Sequence, residues 1–173
     1  MDTLPKVLET KAKIRFQDCD PFNHLNNGSY INYFMNHRED ALIDNYDVDI
    51  YKMAKKEGKS WVSSSNQIAY LKPVFLMETV IIESQLIHFT DSELRVEMRM
   101  YNEDKSQLKC IIWSGFVHFN LLAQKREQHS DEFMNLFKSI IYASIITFSS
   151  NLFTIQLIPK HLKNALNNLN LSP

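Results

Sequence analysis

The chain has 173 residues, 45% hydrophobic and 23% charged, with 19 Lys and Arg against 20 Asp and Glu for a net charge of -1. This composition excludes a disordered or collagen-like chain. The charge balance gives neither the basic excess of a nucleic-acid binder nor an acidic tail for a basic partner. The length allows one domain, or a domain and an appendage, and it buries enough surface to need no staples. Cys19 and Cys110 are too few for a disulfide framework or a Cys-rich zinc site. The opening Met1-Asp-Thr-Leu-Pro lacks a basic and an apolar region, so the expectation is no secretory signal and a reduced, cytoplasmic setting. No Gly-rich phosphate-cradling motif occurs.

Residues 7–16 alternate, with Ala12, Ile14 and Phe16 on one side and Lys11, Lys13 and Arg15 on the other. Period two predicts a half-buried strand. A polar loop, 18–28, leads into a helix predicted over about 28–45, where Tyr30, Ile31, Phe34, Arg38, Ala41 and Leu42 fall near helical spacing and Asn26 or Asn27 would cap. A short helical piece at 50–56 ends at Gly58. Four strands are then predicted, over 61–75, 79–89, 94–101 and 108–122. Pro73 marks the first for a bulge or an edge position there. The last is apolar on nearly every residue, as in a strand covered on both faces. Residues 130–139 read as a short amphipathic helix. Strand, long helix, then a run of antiparallel strands is an α+β layout in which the helix buries its stripe on the sheet.

All acidic residues lie at or before Glu132. The predicted division is therefore a body, 1–139, and a C-terminal extension, 140–173. Residues 140–158 carry no charge, but Ser144, Thr147, Ser149, Ser150, Asn151, Thr154 and Gln156 suit a bilayer poorly. A β-rich or poorly ordered appendage is expected rather than a membrane span.

The loop from Asp18 to Asn27 crowds carboxylate, imidazole and amide groups just before a helix start. Unpaired N–H groups there can polarise a carbonyl, and a neighbouring carboxylate can serve as nucleophile or base. The same residue types also cap and turn the chain. Asp18, Asp20 and His24 are too few ligands for a metal site. Cys19 and residues 63–65 have no evident base partner.

The stretch Phe16-Gln-Asp-Cys-Asp-Pro-Phe-Asn-His-Leu-Asn-Asn-Gly-Ser-Tyr resembles the opening of hotdog-fold thioesterases of the 4-hydroxybenzoyl-CoA thioesterase type, closest to the acyl-CoA thioesterase branch with its D-x-D-x-x-x-H-x-N-N-x-x-Y pattern. Asp18, Asp20, His24, Asn26, Asn27 and Tyr30 sit on that pattern. Tyr70-Leu-Lys-Pro-Val and Trp113-Ser-Gly-Phe-Val-His-Phe resemble later strand motifs of the family. The resemblance covers roughly residues 6–138. It implies a hotdog fold, in which a curved antiparallel sheet of about five strands wraps a long central helix. It also implies homodimers or homotetramers and hydrolysis of a fatty-acyl or aryl-CoA thioester without metal or organic cofactor. By position Asp20 matches the catalytic carboxylate and the Asn27 backbone N–H the carbonyl-polarising donor, with His24 a further candidate more readily read as a loop brace. Asp18 and Asn26 read as structural, Tyr30 as core, and Arg38 as a charge paired with the sheet rim. Lys11, Lys13, Arg15, Arg95 and Arg99 read as solvated strand faces. Neither they nor Lys59 and Lys72 are assigned to the CoA phosphates. Asn23, with Phe22 before it, stands where many members have Gly.

Three alternatives accompany this reading. One is a non-catalytic acyl-group binding or assembly protein on the same fold. The second is an acyl-carrier-protein thioesterase. The third is an enoyl-CoA hydratase, disfavoured because that branch spaces Asp and His five apart, whereas Asp20 and His24 are four apart and Asp18 and His24 six.

Overall fold

A computed structural model describes residues 3–142, 147–149 and 152–154. The elements in chain order are β1 (Val7–Lys13), a 3-10 turn (Phe16–Asp18), α1 (Ser29–Tyr46), α2 (Ile50–Glu57), β2 (Lys59–Tyr70), β3 (Thr79–Phe89), β4 (Glu93–Asn102), β5 (Leu108–Asn120), β6 (Lys125–Arg126), α3 (Asp131–Ile140), β7 (Thr147–Ser149) and β8 (Leu152–Thr154). The main sheet is antiparallel throughout, in the order β1-β3-β4-β5-β2 with β6 beside β5, and β7 pairs with β8 separately. Most of the proposed extension 140–173 lies outside the described residues.

The alternation in β3, β4 and β5 places Val80, Ile82, Met98, Met100, Cys110 and Ile112 on one face of the sheet. There they pack with Ile14, Leu25, Val74 and the helical Tyr30 and Phe34. Period two on the strands meets period 3.6 on α1, and that meeting makes the core. The buried face of α1 is Tyr30, Phe34, His37, Arg38 and Ala41. His37 is not part of the apolar stripe. Burial is tolerated because Thr10 Oγ1 lies 2.7 Å from its Nδ1 and Ser84 Oγ 2.9 Å from its Nε2. Two smaller apolar clusters complete the body. One lies on the opposite sheet face around Ile81, Tyr101 and Ile111, and the other where α3 packs Phe137 and Ile140 against Leu86.

Several expectations change. The first of the four strands ends at Tyr70, because Leu71 and Lys72 both donate their N–H to Lys109 O and Pro73 has none to give. The register irregularity falls between Ser63 and Ser65 rather than at Pro73, while the edge position holds. This strand does not neighbour the one that follows it, since β2 crosses to pair with β5. Phe16 leaves the alternation of β1 and is exposed in the 3-10 turn. The helix is capped by neither Asn side chain. Gly28 occupies the cap, and Asn26 Oδ1 instead accepts from Gly28 N at 2.9 Å. Arg99 does not lie on a solvated face. It pairs with Glu97, which is buried and also accepts from Gln85 Nε2 and Trp113 Nε1. Nor does Arg38 pair at the sheet rim; its guanidinium lies 4.2 Å above the Phe116 ring, buried.

Candidate active site

The loop between the 3-10 turn and α1 is tied to its own backbone first. Asp20 N donates to His24 O at 2.8 Å, Asn23 N to Asp20 O at 3.0 Å and Asn26 N to Asp18 O at 2.9 Å. Asn23 takes the left-handed conformation, with φ at 61°. Asn reaches that region at modest cost because its short amide bonds locally. The conformation that glycine would supply is therefore kept at this position.

The loop is then anchored to the segment between β2 and β3. Leu25 N donates to Val74 O at 2.8 Å and Leu76 N to Asn23 O at 2.9 Å, and His24 forms a bridge with Phe75. That segment is itself pinned by a buried lysine. Lys109 Nζ reaches Glu78 Oε1 and Pro73 O, both at 3.0 Å, while Glu78 Oε2 accepts from Phe75 N at 2.9 Å. Sequence reading passed over Lys109 and Glu78, since 31 residues separate them and only the fold makes them partners.

Within this frame Asp20 is half committed. Its Oδ1 accepts from Phe22 N at 2.9 Å and from His24 N at 3.0 Å. Among the described residues Oδ2 has no hydrogen-bond partner. The His24 ring has no polar partner there either. It rests edge-on to Phe75 at 5.0 Å and beside Phe22 at 6.4 Å. Asp18 is occupied, because Tyr33 Oη donates to its Oδ2 at 2.8 Å. That bond comes second to burial in pushing Tyr33 up to about 12. The Cys19 thiol is pushed up, by burial first and then by Asp18 and Asp20, which disfavours the thiolate.

At the helix start Asn27 N–H has no acceptor among the described residues, while Asn27 O accepts from Tyr70 Oη at 2.9 Å. Tyr70 lies edge-on to Tyr30 at 5.1 Å, so the family-like Tyr in β2 holds the first turn from outside. Tyr30 itself is core, as expected. Phe22 and Phe75 flank the His24 ring, are exposed and give the loop an apolar rim, and Phe16 and Met77 are exposed on the adjoining segments. Among the described residues no three His, Cys, Asp or Glu side chains converge as a metal-ligand set, and no helix is long and apolar enough to cross a membrane.

The family model of the thioesterase-like superfamily matches residues 14–165. The chain belongs to the thioesterase-like superfamily. It is a thioester hydrolase in that family, as the resemblance implied. No curated protein matches it by sequence. Solved structures share the fold of this thioesterase at low identity. A DHNA-CoA thioesterase from Staphylococcus aureus is 16% identical, with TM-score 0.69 over 77% of this chain and 87% of that one. The probable thioesterase YbaW from Escherichia coli is 21% identical, with TM-score 0.66 over 78% and 99%. The S. aureus protein SAV2348, solved in complex with CoA, is 12% identical, with TM-score 0.72 over 92% and 99%.

Proposed function

We propose that this thioesterase hydrolyses a fatty-acyl or aryl-CoA thioester to the free acid and CoA, with Asp20 as its catalytic carboxylate. The observation that carries the reading is a carboxylate with one oxygen clamped by two loop N–H groups and the other free, seven residues before a helix-start N–H that is also free. The Asn27 N–H donates to the thioester carbonyl oxygen and stabilises the charge that develops there. Asp20 Oδ2 either attacks the carbonyl carbon or takes a proton from an attacking water. In the first route the C–S electron pair leaves with the CoA thiolate, and water then opens the acyl-aspartyl anhydride. In the second the tetrahedral intermediate collapses with the same leaving group. Neither route calls for a metal or organic cofactor, because a thioester is already activated. His24, whose N–H and C=O both bond to Asp20, is a positioning residue.

CoA as the carrier is supported by the CoA bound to SAV2348 and by the DHNA-CoA thioesterase among the structural relatives. The apolar rim suits an acyl or aryl group. The full hotdog arrangement, with α1 as the wrapped central helix and 140–173 as an extension, belongs to the same reading, as does a cytoplasmic homodimer or homotetramer. The clamped oxygen of Asp20 also fits a loop brace in a non-catalytic acyl-binding protein.

Thiol release from a panel of acyl- and aryl-CoAs separates the two. Turnover with a preference for one acyl class is expected. Binding of CoA esters without any turnover overturns the hydrolytic reading in favour of the second.

A further inference from the structure

A second concave site lies away from the loop, where the C-terminal half of α1 and α3 meet the sheet. It is a half-open cavity of about 80 Å³, walled by Leu42, Trp61, Leu86, Phe116, Phe133 and Phe137 among others. Roughly 14 Å of helix separate Arg38 from Ser29 at the start of α1, at 1.5 Å per residue.

Arg38 lines this cavity with only 9% of its surface exposed. Its Nε is buried without a hydrogen-bond partner, and among the described residues no carboxylate pairs with the guanidinium. Burial lowers the Arg38 pKa, and the charge of the neighbouring Glu39, whose Oε1 accepts from Tyr51 Oη, offsets this only in part. An unpaired buried charge is costly, and what retains it here is the Phe116 face at 4.2 Å. Lys6, exposed at the rim, is a second cation, and among the described residues no acidic side chain lines the cavity. An apolar chamber with a cation in its wall selects an amphipathic anion. Arg presents a planar fork that a carboxylate fits with two parallel hydrogen bonds. At 10–15 Å³ for each water-sized occupant, the cavity encloses roughly six heavy atoms, and because it is half-open the rest of a larger acid extends through its mouth.

We infer that this cavity binds a small apolar monocarboxylate, aliphatic or aryl, with its carboxylate on Arg38 and its hydrocarbon part among Trp61, Phe116, Phe133 and Phe137. The inference does not depend on the role given to Asp20, and its test reads binding rather than turnover.

The experiment is titration of the full chain with sodium octanoate and with benzoate, followed by calorimetry. Octan-1-ol, of equal length and without charge, is the comparison, and Arg38→Met the variant. Saturable binding of one octanoate or benzoate per chain is expected, weaker by at least about tenfold in Arg38→Met, with octan-1-ol weaker than octanoate by a similar factor. Arg38→Met removes an uncompensated charge, so its melting temperature should equal or exceed the parent's. Unchanged octanoate affinity in Arg38→Met overturns the inference, because the acid then binds elsewhere. Octan-1-ol binding as tightly as octanoate overturns it as well, as does absence of saturable binding at millimolar acid. The octanoate and octan-1-ol contrast in the parent decides the matter even if the variant does not fold.

Discussion

Asn23 shows how much of this site depends on the backbone of one residue. Its φ of 61° lets the chain turn so that Asp20 can accept from both Phe22 N and His24 N. Asn23→Gly should leave folding and activity near the parent's. Asn23→Val should lower stability by about 1–2 kcal/mol, because a β-branched side chain clashes in the left-handed region. Urea melts of the two variants check this, and equal stability would mean the loop has another way to turn. His37 sets a second expectation. Burial pushes it down to about 4 from 6.5, so the folded state resists protonation while the unfolded chain does not. The stability is fully present above about pH 6.5 and falls as pH drops towards 4. From His37 alone the loss between about pH 7 and pH 5 is about 2 kcal/mol. Burial lowers His118 and His129 too, which adds in the same direction. A flat urea-denaturation profile over that range, above the carboxylate titrations, would contradict it. None of these histidines is distinguishable by spacing alone. What makes His37 a neutral core residue is Thr10 and Ser84, 27 and 47 residues away along the chain.

At the scale of elements, the strands that alternate were the legible ones. In β4 Leu94, Val96, Met98 and Met100 do face away from Arg95, Glu97 and Arg99, as period two requires. Yet Glu97 is buried, which alternation cannot foretell. Register decides it, by setting Glu97 opposite Gln85 on one side and Trp113 on the other. The helix α1 was legible for the same reason as β4, with ends displaced by a residue because Gly28 took the cap. The place of β2 was not legible, since a strand's partner across the sheet leaves no local trace when the connection is long. Its edge position has a consequence. Eleven of the twelve residues of β2 pair with β5, none has a strand partner on its other side among the described residues, and Ser63 to Gln67 are exposed. An open edge of that length invites a second copy. Sedimentation should therefore give a particle of at least twice the 20.3 kDa chain. Ser64→Pro, at the step where the β2–β5 register skips, should shift it towards monomer. A monomeric parent would contradict the homo-oligomer.

The molecule as a whole separates scaffold from chemistry. The sheet and α1 form the core, Lys109 and Glu78 fasten the β2–β3 segment, and that segment fastens the loop holding Asp20. The loop motif itself was legible in the sequence, because Asp20, His24 and Asn27 lie within eight residues of one another. The supports behind it were not, because Tyr33, Tyr70 and Lys109 reach it from a helix and two strands. This arrangement also makes one substitution clean. Asn at position 20 can keep Oδ1 as acceptor for Phe22 N and His24 N while removing the negative charge. The most direct test is thus the rate of acyl-CoA hydrolysis by the parent and by Asp20→Asn, with melting temperatures measured alongside. The account predicts equal melting temperatures and a kcat lower by about a hundredfold or more in Asp20→Asn. Parent-like turnover in a folded Asp20→Asn would contradict it and leave Asp20 as a brace of the loop.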